Sequence, residues 1–474
     1  MGRISAVIGG LALLALAACA MAPPAPPSGS SDCAAQYEVL DRRVDKAGVR
    51  DGGAHRMEGF PYLRSSRFLA SFRDDVQDDA RFEAWVSHLR KLDLDARAGE
   101  LRNLGEKEPA AVLARLDACG AAWARGDLAR PERRAALRDA AEVPDDYSMA
   151  ERVLGLYPIL VPFLNLGIGN FDDKVRADYA TPLDQLDSPG SLRLFQAEPK
   201  PPVPVEEAAQ WLAHADALGV PQLSDQQWRR LAESNAPAWW IETAGDFDRP
   251  GAPRHGDGVP ALNSDRPVTY FLPAFTRRHG KVLAQLVYVV WFSERPKGGH
   301  FDAYGGPLDG LVWRVTLDAD GHPLLYDTIH PCGCYHYYYA ATYLTRRKVA
   351  ASFWDEPVLF PQQPVPQGDF AVRLQSGTHY VRRLAPLSVA AKSDSKTYAL
   401  VDYRELLSLP AASGSRSLYD ADGIVRGTER LERFWLWPAG IQSAGAMRQW
   451  GRHATSFVGR THFDDPDLLD KLFK

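Results

Sequence analysis

The stretch VLAQLVYVVWF, Val282 to Phe292, decides the fold of the second half of the chain. Its residues are β-branched, aromatic or aliphatic, and apart from Gln285 both faces of a strand drawn through it are apolar. A strand that is apolar on both faces is typical of the centre of a sheet, where other layers of the protein cover it on either side. We therefore expect this stretch to be a central strand.

Shorter runs of the same character lie on both sides of it. Each is rich in β-branched and aromatic residues, and Gly, Pro, Asn and Asp separate one run from the next, which is typical of strands joined by turns. The runs are Val268 to Phe275, Leu311 to Leu317, Leu324 to Ile329, Phe370 to Leu374, His379 to Leu384 and Tyr398 to Val401. Together they predict that residues 236–474 form a mostly antiparallel β sandwich or barrel.

The first part of the chain has helical periodicity instead. Phe82, Trp85 and Leu89 are spaced by three and four residues and share one helical face, and no run alternates convincingly with period two. We expect an all-α domain over residues 33–197, then a proline-rich linker with short helices over residues 198–235. The predicted fold class is α+β, with an N-terminal all-α helical domain followed by the β-rich domain.

One stretch of the helical region carries no charge. Val153 to Asn170 reads VLGLYPILVPFLNLGIGN and is interrupted by Pro158 and Pro162. Because prolines inside a helix break it, we expect a buried hairpin in the core of the domain. The alternative is a segment that dips into a membrane surface.

Composition and charge exclude several classes of protein. The chain has 474 residues, of which 45% are hydrophobic and 24% charged, so it is not disordered as a whole. Its formal net charge is -5, and no basic excess points to a nucleic-acid partner. After the N-terminus no uncharged apolar run reaches 18 residues with the continuity that a membrane-spanning helix needs, which excludes a polytopic membrane protein.

The N-terminus has the layout of a signal segment. Arg3 precedes an uncharged apolar stretch over residues 4–18, which ends in Leu16-Ala17-Ala18 directly before Cys19. This ending resembles the lipobox of bacterial lipoproteins. The resemblance implies that residues 1–18 are a signal peptide, that Cys19 is acylated and binds the membrane, and that Ala20 favours the periplasmic face of the outer membrane. Residues 19–32 would then be a lipid-anchored tether; the alternative is a plain secretory peptide cut elsewhere.

Four cysteines remain once Cys19 is assigned to the anchor. Cys33 falls on an apolar helical stripe, and so does Cys119 in a later helix that Pro109 opens. Thiols outside the cytoplasm tend to be oxidised. We therefore predict a Cys33–Cys119 disulfide that joins two helices; the alternative is a pair of buried free thiols.

The most informative stretch for chemistry is HPCGCYH, from His330 to His336. Its candidate metal ligands are His330, Cys332, Cys334 and His336, which would share one face of an extended strand. One ion cannot reach both ends of a straight strand of this length, so the chain must bend, and the proline and glycine between the ligands permit bending. Cysteine and histidine together favour zinc, with copper or iron as less favoured choices.

Two other interpretations of this segment stay open. Cys332 and Cys334 are close enough for a local disulfide, which would be strained and suited to redox chemistry. Alternatively the two cysteines are small core residues and the two histidines are buried and satisfied by hydrogen bonds.

Two histidines outside the segment are candidate catalytic acids or bases. His300 lies in a glycine-rich loop, KGGHFDAYGG, and His453 follows a cluster of tryptophans near the C-terminus. With Asp302 and Arg460 they match the permissive spacing of a non-haem iron triad. The chain has no GxSxG, HExxH, GxxxxGK[ST] or CxxCH motif.

The sequence thus predicts a periplasm-facing lipoprotein with a metal or redox centre in the HPCGCYH segment, a metalloenzyme of unidentified substrate. The alternative is a non-catalytic envelope lipoprotein that binds a partner or ligand, in which Cys332 and Cys334 form a structural disulfide.

Overall fold

The computed structural model describes residues 31–299, 301–347 and 352–474. Twelve α-helices lie in these ranges: α1 Ser31–Ala47, α2 Arg67–Ala70, α3 Asp79–Asn103, α4 Pro109–Leu128, α5 Pro131–Ala140, α6 Met149–Leu154, α7 Tyr157–Ala180, α8 Val205–Ala213, α9 Asp225–Ser234, α10 Leu387–Ala390, α11 Arg433–Leu436 and α12 Leu468–Leu472. Cys19 and His300 lie outside the described residues.

The same ranges contain sixteen strands: β1 His55–Met57, β2 Phe60–Ser65, β3 Ser191–Ala197, β4 Ala238–Thr243, β5 Ala252–Arg254, β6 Ala261–Asn263, β7 Val268–Arg278, β8 Lys281–Arg295, β9 Gly306–Leu317, β10 Pro323–Ile329, β11 Tyr337–Ala340, β12 Phe370–Leu374, β13 Val381–Pro386, β14 Asp394–Asp402, β15 Leu409–Pro410 and β16 Ser415–Arg416. The chain is therefore of mixed α and β structure, as predicted.

Ten of the strands form one large curled sheet in the order β11-β10-β9-β8-β7-β14-β3-β4-β12-β13. The β11-β10-β9-β8-β7 run is antiparallel throughout. Parallel pairs occur where β14 lies beside β7 and β3, and where β12 lies beside β4. The other sheets of the described chain have two strands each, so no second large sheet packs face to face on the first as in a sandwich.

Strand β8 contains the stretch Val282 to Phe292 and lies inside the large sheet, as predicted. Alternate residues enter two different cores. Tyr288 and Val290 pack with the helices α7, α8 and α9 on one face. Val289 and Trp291 pack on the other face with the loops of the C-terminal region. Both faces are buried, which explains why the strand carries no polar face.

The N-terminal region is dominated by helices but is not all helical, which corrects the prediction for residues 33–197. A hairpin of β1 and β2 is inserted between α1 and α2, and β3 belongs to the large sheet between β14 and β4. The sequence of β2 does not alternate between apolar and polar residues because nearly all of the strand is buried, with only Pro61 exposed. A short strand with two covered faces shows no alternation in its sequence.

A disulfide links α1 to α4, as predicted. Cys33 and Cys119 are bonded, with their Cα atoms 5.6 Å apart. Around them Tyr37, Trp123 and Leu116 pack in the core of the helical region. The bridge therefore lies at the edge of a core that the same two helices build.

The uncharged stretch Val153 to Asn170 differs from expectation. It covers the end of α6 and the first half of α7, and α7 continues through Pro162 without a break. Many of its apolar side chains are exposed rather than buried. No helix of the described residues is long and apolar enough to cross a membrane.

Candidate functional site

The HPCGCYH segment forms a tight turn between β10 and β11. The backbone N–H of His330 donates to the carbonyl of Cys334 at 2.9 Å, and that of Gly333 donates to the carbonyl of His330 at 2.8 Å. Gly333 has a φ of 94°, and a Cβ there would lie 2.2 Å from the carbonyl oxygen of Ala454. Only glycine fits this position, so the chain bends where the metal hypothesis needs it to bend.

The bend does not bring His336 to the two thiols. Its Nε2 lies 2.9 Å from Asp327 Oδ2, and its Nδ1 lies 3.0 Å from the hydroxyl of Tyr338. Asp327 is buried and also accepts from Nε of Arg314 at 2.9 Å. Both ring nitrogens of His336 are therefore used in a buried network on the strands β9, β10 and β11.

The two cysteines of the segment are free thiols. Cys332 is buried and Cys334 is half-buried. A hydrogen bond with Cys332, together with burial, raises the pKa of the Cys334 thiol well above its ordinary value. Among the described residues no group of three or more His, Cys, Asp and Glu side chains is placed to hold a metal ion. The local disulfide is not formed, and the metal centre stays a prediction.

His453 is buried on the face of the large sheet that carries Val289 and Trp291. It borders a cavity of about 10 Å³, room for about one water molecule, which Trp291, Tyr403, Tyr419 and Arg448 also line. Burial and the nearby Arg448 lower the pKa of His453 to about 3. Neither ring nitrogen of His453 has a hydrogen-bond partner among the described residues. Of the two predicted catalytic histidines, His453 is buried and its catalytic role stays a prediction, and His300 lies outside the described residues.

A buried row of alternating carboxylates and imidazoles ends at His330. Asp248 Oδ1 lies 3.4 Å from His379 Nε2, His379 Nδ1 lies 2.6 Å from Asp309 Oδ2, and Asp309 Oδ1 lies 3.4 Å from His330 Nδ1. All four side chains are almost completely buried. We call these residues the Asp–His row.

The fold holds His379 firmly in this row. Its backbone has a φ of 54°, and its ring stacks on Phe292 with centroids 3.9 Å apart and an angle of 3° between the planes. Asp248 is fixed in turn by the backbone N–H of Gly377 at 2.7 Å and the hydroxyl of Ser376 at 2.8 Å. The turn before β13 and the middle of β8 therefore position the row together.

The charges along the row alternate. Burial would raise the pKa of Asp309, but His330 and His379 hold it far below its usual range. Burial opposes the charged form of His379, yet the neighbouring carboxylates of Asp248 and Asp309 raise its pKa. Burial lowers the pKa of His330 and outweighs the attraction of Asp309. The row thus favours the charged form of His379, between two carboxylates, and the neutral form of His330 at its end.

The contact with Asp309 selects the tautomer of His330. An ionised carboxylate only accepts hydrogen bonds, so the proton of the neutral ring belongs on Nδ1, which faces Asp309. Nε2 then carries a lone pair, and it is buried without a hydrogen-bond partner among the described residues. The rings of Tyr335 and Tyr380 lie beside His330, with centroids 5.1 and 5.4 Å away. Such a nitrogen is suited to accept a proton.

An arginine without an acidic partner lies next to these tyrosines. Nη2 of Arg295, at the end of β8, donates to the hydroxyl of Tyr380 at 3.1 Å. Its guanidinium lies 5.1 Å from the centre of the Tyr380 ring and 5.4 Å from that of Tyr304. It pairs with no carboxylate of the described residues. A guanidinium without an ion pair is suited to bind the carboxylate or phosphate of a ligand.

Two acidic residues with raised pKa values flank the thiols. Burial raises the pKa of Glu432 to about 7 and that of Glu356 to about 7. Both carboxyl groups act electrostatically on Cys334. From α7, the ring of Phe171 packs 5.0 Å from that of Tyr335. Several distant parts of the chain therefore meet around the turn of the HPCGCYH segment.

The sequence points to only part of this arrangement. His330 is among the predicted site residues, whereas Asp309, Asp248, His379 and Arg295 are not. One signal was present for Asp309: it is a charged residue just before the apolar run of β9, and it is buried in the structure. A buried charge inside a strand calls for partners, but the sequence does not say which.

Comparison with known proteins identifies no relative: no family model matches the chain, and no curated protein and no solved structure matches it significantly. The function is therefore argued from the site itself.

Proposed function

We propose that this chain is an acid–base enzyme of the bacterial envelope in which His330 is the general base. The observation that carries the proposal is the position of His330 at the end of the Asp–His row. Its Nδ1 faces Asp309, and its Nε2 is left without a partner. His336 of the same segment differs from His330, since both of its ring nitrogens are bonded.

The proposed reaction is the removal of a proton from water or from a substrate hydroxyl. Nε2 of His330 accepts the proton, and Asp309 stabilises the imidazolium that forms. Arg295, hydrogen-bonded to Tyr380, binds an anionic group of the substrate. A base beside an anion-binding arginine supports hydrolysis or transfer of a carboxylic or phosphoric ester.

We further propose that the protein faces the periplasm as a lipoprotein of the outer membrane, anchored through Cys19. Two observations support this location: the lipobox-like sequence that ends at Cys19, and the Cys33–Cys119 disulfide, a bond typical of oxidising compartments. The non-catalytic alternative, a binding protein of the envelope, predicts that His330 can be replaced without loss of function.

A metal centre is the second candidate function, and one observation favours it. The thiols of Cys332 and Cys334 contact each other in the bent segment, and thiolates are strong ligands of zinc and copper. The described residues do not fit a four-ligand zinc site, however, because His336 is bonded to Asp327 and Tyr338. Elemental analysis of the purified mature protein tests this. Stoichiometric zinc, copper or iron that disappears in Cys334→Ser would support the metal centre.

Selective ¹⁵N labelling of histidine tests the proposed base directly. We expect the His330 ring to be neutral near pH 7, with a proton on Nδ1 and none on Nε2. His330→Gln identifies the signals. His336→Gln is the matched control, since it removes a histidine from the same segment and should leave the His330 signals in place. A proton on Nε2 of His330 would contradict the proposal.

Activity is the second readout. The wild type is assayed with chromogenic carboxylic esters, phosphate monoesters and phosphate diesters. General-base catalysis contributes about 10²- to 10⁴-fold to a rate, so His330→Gln should lose activity by that factor while His336→Gln keeps most of it. Equal rates in the wild type and in His330→Gln, or no turnover of any of these substrates by the wild type, would exclude the proposed reaction.

A further inference from the structure

The helices α6 and α7 carry an unusual number of exposed apolar side chains. Those over the uncharged stretch and just before it are 54% to 77% exposed: Met149, Val153, Leu154, Leu156, Ile159, Phe163 and Leu166. From Leu156 to Leu166 they recur at spacings of three and four, which places them on one side of α7. They form a continuous apolar side of a helix pair, which single scattered exposed residues do not.

Two further segments extend this apolar surface. Gly155 packs so closely on Pro438 that a Cβ would lie 2.3 Å from the proline side chain, and the N–H of Ser148 donates to the carbonyl of Gly440 at 2.7 Å. These contacts place α6 beside α11 and the residues after it, whose exposed rings are Phe434, Trp435 and Trp437. On the other side, Asn165 donates to the carbonyl of Phe353, which places the exposed rings of Phe353 and Trp354 next to α7.

Folding does not explain the exposure. The opposite side of α7 is already packed, since Tyr157 and Val161 are buried against Val458. The exposed side is therefore apolar surface that the folded chain does not use for its own packing. Leaving it in water costs about 25 cal/mol for each Å² that another surface could cover, which points to an occupant.

We propose that the apolar face rests on the surface of the lipid bilayer. The apolar face consists of the exposed side chains of α6 and α7, Phe353, Trp354, Phe434, Trp435 and Trp437. Tryptophan and phenylalanine side by side with leucine and isoleucine are typical of segments that lie in a membrane interface. No helix of the described residues could span the bilayer. The proposed contact is therefore between the apolar face and the surface of the bilayer.

The length of the N-terminal tether supports a bilayer as the occupant. This step rests on the proposed anchoring through Cys19. Twelve residue steps separate Cys19 from Ser31, the first residue of α1. Extended, they reach about 40 Å, a distance comparable to the size of a folded domain. The anchor therefore keeps the folded part close enough to the membrane for the apolar face to lie on it.

The chain segments that carry the apolar face also contribute residues to the candidate active site. Trp354 precedes Glu356 by two residues, and Phe434 follows Glu432 by two. Helix α7 carries exposed Phe163 in one half and, in the other half, Phe171 against Tyr335. The same three segments thus border the turn of the HPCGCYH segment and form the apolar face.

Vesicle flotation tests the proposal without depending on the anchor. The full mature chain, with Cys19→Ser to remove the acylation site, is mixed with vesicles of phosphatidylethanolamine and phosphatidylglycerol. We expect the protein to float with the vesicles. Replacing Ile159, Phe163 and Trp435 by Ser should reduce the bound fraction at least tenfold. The matched control replaces three apolar residues exposed elsewhere, Val39, Val259 and Val389, by Ser and should leave binding unchanged.

A second measurement needs no substitution in the face. Brominated lipids quench tryptophans that enter the interface, and we expect them to quench part of the fluorescence of the acylated wild type. Absence of quenching, or equal flotation of the triple Ser variant and the control, would overturn the proposal. So would a dimer in solution that the same three substitutions dissociate, since a second copy would then be the occupant. If only the anchor is wrong, the result differs: the wild type carries no palmitate, but the Cys19→Ser chain still floats with the vesicles.

Discussion

Nδ1 of His379 lies 2.6 Å from Oδ2 of Asp309, although 70 residues separate them in the chain. Both side chains are at most 2% exposed. Asp309 belongs to β9, whereas His379 lies in the turn that precedes β13. The pair therefore connects strands from different parts of the large sheet and holds Asp309 in position beside His330.

Replacing His379 should destabilise the protein strongly. In His379→Gln, Asp309 and Asp248 lose the buried imidazolium between them, and a buried charge without its partner costs about 3–5 kcal/mol. Urea denaturation should show this loss. The exposed His322→Gln is the control and should change the free energy of unfolding by less than about 0.5 kcal/mol. A loss of less than 1 kcal/mol in His379→Gln would show that the row is not ionised as described.

The Cys33–Cys119 bridge should contribute substantially to stability. It closes a loop over a sequence separation of 86 residues, for which the loss of chain entropy in the unfolded state corresponds to about 4.6 kcal/mol. The double variant Cys33→Ser, Cys119→Ser should lose about that much in urea denaturation, and Cys332→Ser much less. Peptide mapping without reduction should recover the peptides of Cys33 and Cys119 joined. Either of them joined to the peptide of Cys332 and Cys334 would contradict the pairing.

Glu432 should make the stability depend on pH. Burial raises its pKa from 4.5 to about 7 in the folded protein. Between these values the folded protein holds a proton that the unfolded chain has released, so this group's contribution to stability falls as the pH rises from about 4.5 to about 7. Glu432→Gln removes the ionisation. It should therefore be more stable than the wild type at pH 8, by up to about 3 kcal/mol, and similar to it near pH 4.5.

The matched control for this pH dependence is the exposed Glu198→Gln, which should follow the wild type at every pH. Thermal or urea denaturation at several pH values gives the comparison. If Glu432→Gln is less stable than the wild type at pH 8, the carboxylate has a stabilising partner and the raised pKa is refuted.

Cys19 should carry the lipid. Cys19→Ala should abolish labelling with palmitate and leave the precursor unprocessed or release the protein from the membrane. Cys334→Ala is the control, since it removes a cysteine that cannot be the mature N-terminus and should keep the label. Persistent labelling of Cys19→Ala would end the lipoprotein assignment.

Local patterns in the sequence were enough to predict features that depend on which sides of a single strand or helix are buried. The apolar run of β8 predicts a central strand because both of its faces are covered. The helical spacing around Cys33 and Cys119 predicts their bridge because both lie on the buried sides of their helices. For α7 the same reasoning gave a wrong prediction. Its uncharged sequence predicts burial, but only one side of the helix is packed, and nothing in the periodicity distinguishes a protein neighbour from a lipid one.

The candidate site could be predicted only in part, because long-range pairing builds it. Equal parity of His330 and His336 would place them on one face of an extended strand. The turn at Gly333 removes that relation, so His336 bonds to Asp327 on β10. The position of His379 beside Asp309 depends on the order of the strands in the large sheet, which no short motif encodes.

The disulfide also determines how the fold carries mechanical load. Cys33 is the third residue of α1, so a pull along the proposed N-terminal tether reaches the disulfide after only two residues of the helix, Ser31 and Asp32. The force then passes through the two sulfur atoms into α4, and α1 cannot be peeled away from its N-terminal end by breaking its hydrogen bonds one after another. In a protein tethered by its N-terminus, the bridge places the resistance to pulling in a covalent bond where the tether enters the fold.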